Sequence, residues 1–535
     1  MYYTKPMNFI RRRCYSAQRL KQSVTSAILI IAIYGIYIYS APVHHITIFA
    51  PKPSPGCKTL PVPSLISDAA AASKLWERLA ELFDAHKPPQ DFARPDNPLG
   101  IPPPSEWETT KNWLSITPEE MEAARATQAA FVQDIPAYPE HLYNGRGLVM
   151  VIGGVYSEYG TTSLGMLRHV GSTLPVEAWM KDSSEETVGL CENLAREGIA
   201  CRLLSDYVDV SGFTEGFQFK IASIFLSSFR EVLFLDADNI PVRDPEIIFD
   251  SKEYQEAGAI LWPDFWKSTE SPMTGYITGA SDEVAQAPSD MKTVEAGQML
   301  WDKKRHWKTL CLSAYYNFHG PKYYYTLITQ GGVGWGDKDT FPTALRALKA
   351  PWHLVPHPVS TMVENRPAGV AVGIAMVQYD PTIPEETAPR QTPRPLFLHC
   401  NTVKWGIRHF MCATCAEDPA EQARRNDSTH PGATFQGRYE DSSEGIYKML
   451  RYGKRLLRLP AVEAWDPDRD QKVGFEEWDV DPERDMWMVM ERIACAGVWR
   501  DEVACQRTRE HLEGTFGVVQ GTLWEGGRWD GCVEG

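Results

Sequence analysis

The sequence predicts an α/β protein: a mostly parallel sheet flanked by helices, set behind a membrane-spanning segment. Three observations carry this expectation. Strand-like apolar runs alternate with helical stretches from Gly147 onward, the pattern that builds a parallel sheet. One of these runs, Val232-Leu-Phe-Leu235, ends in Asp236-Ala-Asp238 and is stopped by Pro241. An uncharged span, Ser23 to Val43, follows an amino terminus rich in Lys and Arg.

Ser23 to Val43 meets the roughly 20 residues a helix needs to cross a bilayer. Lys5, Arg11, Arg12, Arg13, Arg19 and Lys21 precede it with no acidic residue among them, so the basic end stays in the cytosol and the rest enters the lumen. A cleaved signal peptide is the competing reading, disfavoured by the length of the span and the poor Ser-Ala-Pro cleavage site. The division that follows is a cytosolic tail (1–22), a transmembrane anchor (23–43), a luminal stem (44–145), a globular domain (146–415) and a C-terminal extension packed on it (416–535). Within the stem, Pro-rich stretches flank a helical segment from about Ser67 to His86, whose Leu75, Leu79 and Leu82 share one face, read as a spacer.

The globular part opens with the strand Gly147 to Ile152, followed by Gly153 and Gly154. A helical stretch around Leu164 leads to strands at Val176–Trp179 and Ala200–Leu204, and the helix Phe219 to Phe229, carrying Lys220, feeds the Asp-x-Asp strand. Ala259–Trp262, Trp352–Val355, Gly373–Val377 and Pro395–Leu398 read as further strands, and Met299 to Trp307 as a helix. Asp236 and Asp238 therefore fall at the carboxyl edge of the sheet, where open α/β sheets bind ligands. Carboxylates there suit a hard divalent cation, which can in turn hold a diphosphate.

The net charge of -15 excludes a nucleic-acid partner, because no basic stripe is available to neutralise phosphates. Ten of the 11 cysteines lie beyond the anchor, where an oxidising compartment pairs them. Cys412-Ala-Thr-Cys415 has no second such pair, which favours structural disulfides over zinc. Asn426-Asp-Ser428 is an N-glycosylation acceptor in the same compartment.

Four more segments have fitting chemistry. His399, at a strand end, and Lys404 could complete a metal shell and neutralise a diphosphate. The glycine-rich turn Gly331 to Phe341 carries Asp337 and Lys338 and opens a helix. Glu295-Ala-Gly-Gln298 offers polar groups, and Leu261-Trp-Pro-Asp-Phe-Trp266 offers aromatic faces that either stack on sugar rings or fill the core.

Taken in this order, from about Val149 to His409, these segments resemble the fungal Golgi α-mannosyltransferases of glycosyltransferase family 71. The motifs that carry the likeness are Leu174-Pro-Val-Glu177, Phe234 to Val242, Trp262-Pro-Asp-Phe265, Glu295 to Gln298 and Gly336-Asp-Lys-Asp-Thr-Phe341. The resemblance implies a type II membrane protein of the Golgi with a GT-A type fold, a Rossmann-like mixed sheet flanked by helices, that transfers mannose with retention from GDP-mannose to mannan or glycoprotein glycans. It implies Mn2+ or another divalent cation held by Asp236, Asp238 and His399. Gly153, Lys220, Asp236, Asp238 and Lys404 would bind the donor; Trp262, Asp264, Glu295, Gln298, Asp337 and Lys338 would bind the acceptor. Catalysis would rest on Asp236, Asp238, Gln298 and Asp337, and other glycosyltransferases are candidate partners in a complex. Asp339 stands where the family commonly has Glu, one methylene longer, which bears on acceptor preference more than on catalysis.

Outside that likeness, Asp466, Asp468, Asp470 and Glu477 have the spacing of an EF-hand calcium loop, but Gln471 replaces the turn glycine, favouring a solvated acidic loop. Two alternatives accompany the mannosyltransferase reading. A UDP-sugar such as UDP-glucose or UDP-galactose could serve the same fold as donor. The chain could instead be a non-catalytic, membrane-tethered glycan-binding protein, served by its 17 Trp, 22 Tyr and 20 Phe.

Overall fold

The structure, a computed structural model, describes residues 69–92, 112–185, 189–285, 291–332, 334–364, 373–382, 394–401, 404–407, 457–458, 480–496 and 499–518. The expected tail and anchor (1–43), Cys412, Cys415, Asn426 and the acidic loop 466–477 lie outside the described residues. Among the described residues, no helix is long and apolar enough to cross a membrane.

The strands, in chain order, are β1 (Arg146–Val151), β2 (Val176–Met180), β3 (Ile199–Leu203), β4 (Glu231–Asp236), β5 (Asn239–Pro241), β6 (Ala259–Lys267), β7 (Lys292–Asp302), β8 (His353–Leu354), β9 (Ser360–Glu364), β10 (Gly373–Tyr379), β11 (Pro395–His399) and β12 (Leu457–Arg458). The helices of eight residues or more are α1 (Ala69–Ala85), α2 (Pro118–Asp134), α3 (Tyr156–His169), α4 (Gln218–Leu226), α5 (Trp307–Phe318), α6 (Thr340–Ala347), α7 (Pro482–Ala496) and α8 (Glu502–Phe516).

Two sheets form. The larger runs β3-β2-β1-β4-β7-β6-β8 and the smaller β12-β9-β10-β11-β5. The expected parallel arrangement holds across β3, β2, β1 and β4, and then reverses, because β7 pairs antiparallel with both β4 and β6. The reversal corrects the helix expected over Met299 to Trp307. Those residues continue β7 to Asp302, and α5 starts only at Trp307. Met299, Leu300 and Trp301 are all buried, since β7 is covered on both faces, and such a continuous apolar run does not separate strand from helix.

The spacer reading of the 67–86 helix is also corrected. α1 docks on the globular domain: Leu79 and Phe83 are fully buried, and the Phe83 ring packs 5.6 Å from Phe131 of α2 and 5.1 Å from Phe318 of α5. His319 Nε2 lies 2.9 Å from the Phe83 carbonyl, and the Tyr315 hydroxyl donates to the His86 carbonyl at 2.7 Å. α2 starts at a capping box in which Thr117 and Glu120 satisfy each other's backbone N–H groups. On the other side, α7 packs against α3 and the smaller sheet, with Trp487 and Trp405 rings 5.3 Å apart and Arg492 paired to Glu197 at 3.0 Å.

Cys191–Cys201 and Cys495–Cys505 are disulfides, whereas Cys311 and Cys400 are buried thiols. The expected pairing fails for these two because each is enclosed in the packed interior, where Cys serves as a small apolar residue. Docking of α1 is testable. Phe83→Ala should cost about 3–5 kcal/mol by leaving a cavity, read as a lower denaturant midpoint, while the exposed Arg78→Ala should stay within about 0.5 kcal/mol of the parent.

Candidate metal and nucleotide-sugar site

The chain leaves the larger sheet for the smaller one at Asp236-Ala-Asp238. Asp236 ends β4 opposite Val151 of β1, and Asn239 starts β5 opposite His399 of β11. Four hydrogen bonds fix this crossing. The Cys400 N–H donates to the Asp238 carbonyl at 2.9 Å, and the Ser163 hydroxyl to the Asn239 carbonyl at 2.6 Å. The Asn239 amide donates to the Gly297 carbonyl at 2.7 Å and also to Gln298 Oε1.

The crossing places donor atoms of Asp236, Asp238 and His399 within 4.8 Å of one another. His399 Nε2 is 3.3 Å from Asp238 Oδ1, and its Nδ1 is 3.2 Å from Glu295 Oε1. Lys404 pairs with the second oxygen of Asp238. Lys220 bridges Asp236 at 3.2 Å and Asp337 at 3.3 Å, and donates to the Ala296 carbonyl at 2.8 Å. Lys338 joins Asp264 at 3.3 Å to Asp339 at 2.7 Å, while the Val294 N–H reaches Asp339 Oδ1 at 3.4 Å. Asp236, Asp238, Asp264, Glu295, Asp337 and Asp339 thus face Lys220, Lys338, Lys404 and His399, leaving two more carboxylates than cations even with the imidazole protonated. Two carboxylates and an imidazole in an acidic surplus fit a divalent cation such as Mn2+.

Burial lifts the Asp236 carboxyl to about 6, with Lys220 opposing the rise and Asp238 adding to it. Burial would raise Asp238 as well, but Lys404 and His399 outweigh it and hold that carboxyl far below the usual range. For His399, burial favours the neutral ring, yet Glu295 and Asp238 prevail and keep the imidazole protonated well above its ordinary value. Glu295, raised by burial and lowered more strongly by His399, comes to about 2. Asp264 is lifted by burial to about 6 in spite of Lys338.

One glycine makes room for the imidazole and another for the Glu185 side chain near the end of β1. A Cβ at Gly297 would come 2.6 Å from the His399 ring, so the bare backbone of β7 sets where the imidazole sits. Gly153, two residues beyond β1 and next to the Asp236 strand end, has φ of 141°, and a Cβ there would meet Glu185 Oε2 at 2.4 Å.

The other expected site residues separate into those near the crossing and those spent elsewhere. Asp264, Glu295, Asp337 and Lys338 line the same charged cluster. Trp262 does not offer a stacking face: it is fully buried, its Nε1 donates to the Tyr379 carbonyl at 2.8 Å, and its ring packs 5.6 Å from Phe397. The exposed aromatic of that segment is Phe265, at 38%. Gln298 is fully buried with its carbonyl taken by Asn239, so it too belongs to the support of the crossing rather than to an open sugar face. Lys220 is buried, donates to Asp236 and to the Ala296 carbonyl, and forms an ion pair with Asp337. Asn239, Ser163 and Gly297 escaped sequence reasoning as site residues. The signal for Gly297 was its place in Glu-Ala-Gly-Gln, taken there for a helix entry. A second grouping, Glu491 with Cys495 and Cys505, has its sulfurs in a disulfide and its carboxylate 2.6 Å from Arg509.

Fold and site together define an α/β protein with a candidate divalent-cation centre at the carboxyl edge of its central sheet. Residues 145–292 and 278–380 match the family described as putative mannosyltransferase. The chain is 31% identical over 283 residues to alpha-1,2-mannosyltransferase MNN24 of Candida albicans, covering 45% of this chain and 40% of that protein. It is 32% identical over 316 residues to MNN21 of the same yeast, covering 50% and 48%, and 32% identical over 266 residues to MNN5 of Saccharomyces cerevisiae, covering 40% and 45%. The chain therefore spans less than half the length of each of these relatives. The solved galactosyltransferase LgtC shares 12% identity over 39% of this chain and 73% of its own, at a TM-score of 0.25, a likeness too loose to transfer residue roles.

Two measurements test the site. Mn2+ affinity, followed by titration calorimetry, should fall as pH drops through about 6, because Asp236 takes up a proton there and His399 must lose one to coordinate; an affinity flat between pH 5.5 and 7.5 contradicts the assignment. Gly297→Ala should weaken Mn2+ binding roughly tenfold or more by displacing the imidazole.

Proposed function

We propose that the protein is a metal-dependent, retaining α-mannosyltransferase of GT-A type fold. It moves mannose from GDP-mannose to a mannose-containing glycan of glycoproteins or cell-wall mannan. The names of the relatives support an α-1,2 linkage. The observation that carries the reading is the convergence of Asp236, Asp238 and His399 beside a partly exposed lysine: the Lys404 side chain is 26% exposed, the most open of the cations around the crossing.

In this reading Asp236, Asp238 and His399 hold the divalent cation, which supplies positive charge to the diphosphate of the leaving nucleotide. Lys404 turns from Asp238 toward the same phosphates and neutralises charge as the sugar–phosphate bond breaks. Gly153, at the end of β1, lets the backbone approach the nucleotide closely. Asp264, Glu295 and Lys338 orient the hydroxyl groups of the acceptor, one of which attacks the anomeric carbon. No covalent protein group is needed; positioning and a low-dielectric charged pocket supply the rate. The uncharged span 23–43 behind a basic flank supports a Golgi location with the catalytic part in the lumen, where the glycan acceptor and partner transferases reside.

Asp236→Ala and Asp238→Ala should each reduce transfer by about a hundredfold to a thousandfold, on the scale of removing one electrostatic catalytic group, with near-UV circular dichroism unchanged. Wild-type rates in the double variant with Mn2+ present would sink the reading. GDP should compete with the donor where UDP does not; the reverse order assigns a UDP-sugar donor.

A further inference from the structure

Lys220 and Lys404 both pair with the Asp-x-Asp, yet they differ in what they can do next. The Lys404 side chain is 26% exposed, whereas that of Lys220 is 8% exposed. The Lys220 ammonium donates to Asp236 at 3.2 Å and to the Ala296 carbonyl at 2.8 Å, and forms an ion pair with Asp337 at 3.3 Å. These partners come from three different places: the end of β4, the segment before α6, and the stretch of β7 that carries Glu295.

We propose that Lys220 is a positioning residue that couples the cation site to the acceptor-side segment around Asp337. Its single positive charge is shared between Asp236 and Asp337. When a divalent cation takes up the Asp236 carboxylate, the ammonium is repelled from that side and its attraction falls to Asp337. This draws Asp337, and with it the neighbouring Lys338 and Asp339, against β7. Filling of the cation site is thereby linked to ordering of the charged groups that face the acceptor. The inference rests on the proposed cation site and adds the residue that connects it to the second substrate.

The coupling has a signature that neither a phosphate contact nor a structural lysine shares. Lys220→Gln removes a positive charge beside Asp236 and should tighten Mn2+ binding about tenfold, since the ammonium no longer competes for that carboxylate. Asp337→Asn leaves Lys220 to Asp236 alone and should weaken Mn2+ binding by a similar factor. The experiment is calorimetric titration of the full chain with Mn2+ alone, without nucleotide, at pH 8, for the parent and both variants. Opposite shifts support the proposal. Parent binding with both variants unchanged, or both weakened, overturns it while leaving the cation site in place. A parent that binds no Mn2+ overturns the site reading and the coupling together. Should Lys220→Gln fail to fold, Asp337→Asn decides: weaker binding supports the coupling, and equal or tighter binding refutes it.

Discussion

The passage of the main chain from one sheet to the other between Asp236 and Asn239 governs the geometry of everything around it. β4 is central in the larger sheet and β5 is the edge of the smaller one, so the two residues between them, Ala237 and Asp238, have both ends anchored by ladders. Register then dictates chemistry. Because Asn239 pairs with His399, the imidazole falls on the same side as the carboxylates; a slip of one residue in β11 would turn it to the opposite face. The Asn239 amide, bound to the Gly297 carbonyl, ties the crossing to β7 and fixes the distance to Glu295.

Around this crossing the protein gathers more negative charge than it neutralises. Buried charges are tolerated only where they pair, and here Lys220, Lys338 and the imidazole each serve two carboxylates, while Lys404, among the described residues, pairs with Asp238. Such sharing is a poor route to stability and a good one to affinity for small cations. The division of labour among the lysines follows from solvent access rather than from charge, which they have in common.

Much of the central sheet was legible because its signals are local. Val232 to Leu235 is apolar throughout, ends in acids and is followed by proline, and the strand stops at Asp236. His399 and Lys404 were readable as a pair because both follow one strand. What failed depended on distant partners. Nothing near Met299 distinguishes a strand covered on both faces from a buried helix; only the neighbouring β4 and β6 decide it. For Trp262 the choice between sugar platform and core stayed open, because an aromatic beside Pro-Asp reads the same whether it faces solvent or the adjoining sheet, whose Phe397 covers it. The partners of Lys220, a residue expected to bind the donor, lie 16, 76 and 117 residues away, beyond the reach of a local reading. α2, by contrast, announces itself through Thr117-Pro-Glu-Glu120, a capping signal that was there to be used.

The placement of the crosslinks has a practical side. Each described disulfide joins cysteines 10 residues apart in sequence, one within the β3 region and one between α7 and α8, and neither links the two sheets. Across the described residues, then, the seam that carries the acids is held by hydrogen bonds and packing alone. Of the disulfides among the described residues, thiol reductants in an assay buffer would open two short staples and leave the bonds of that seam untouched.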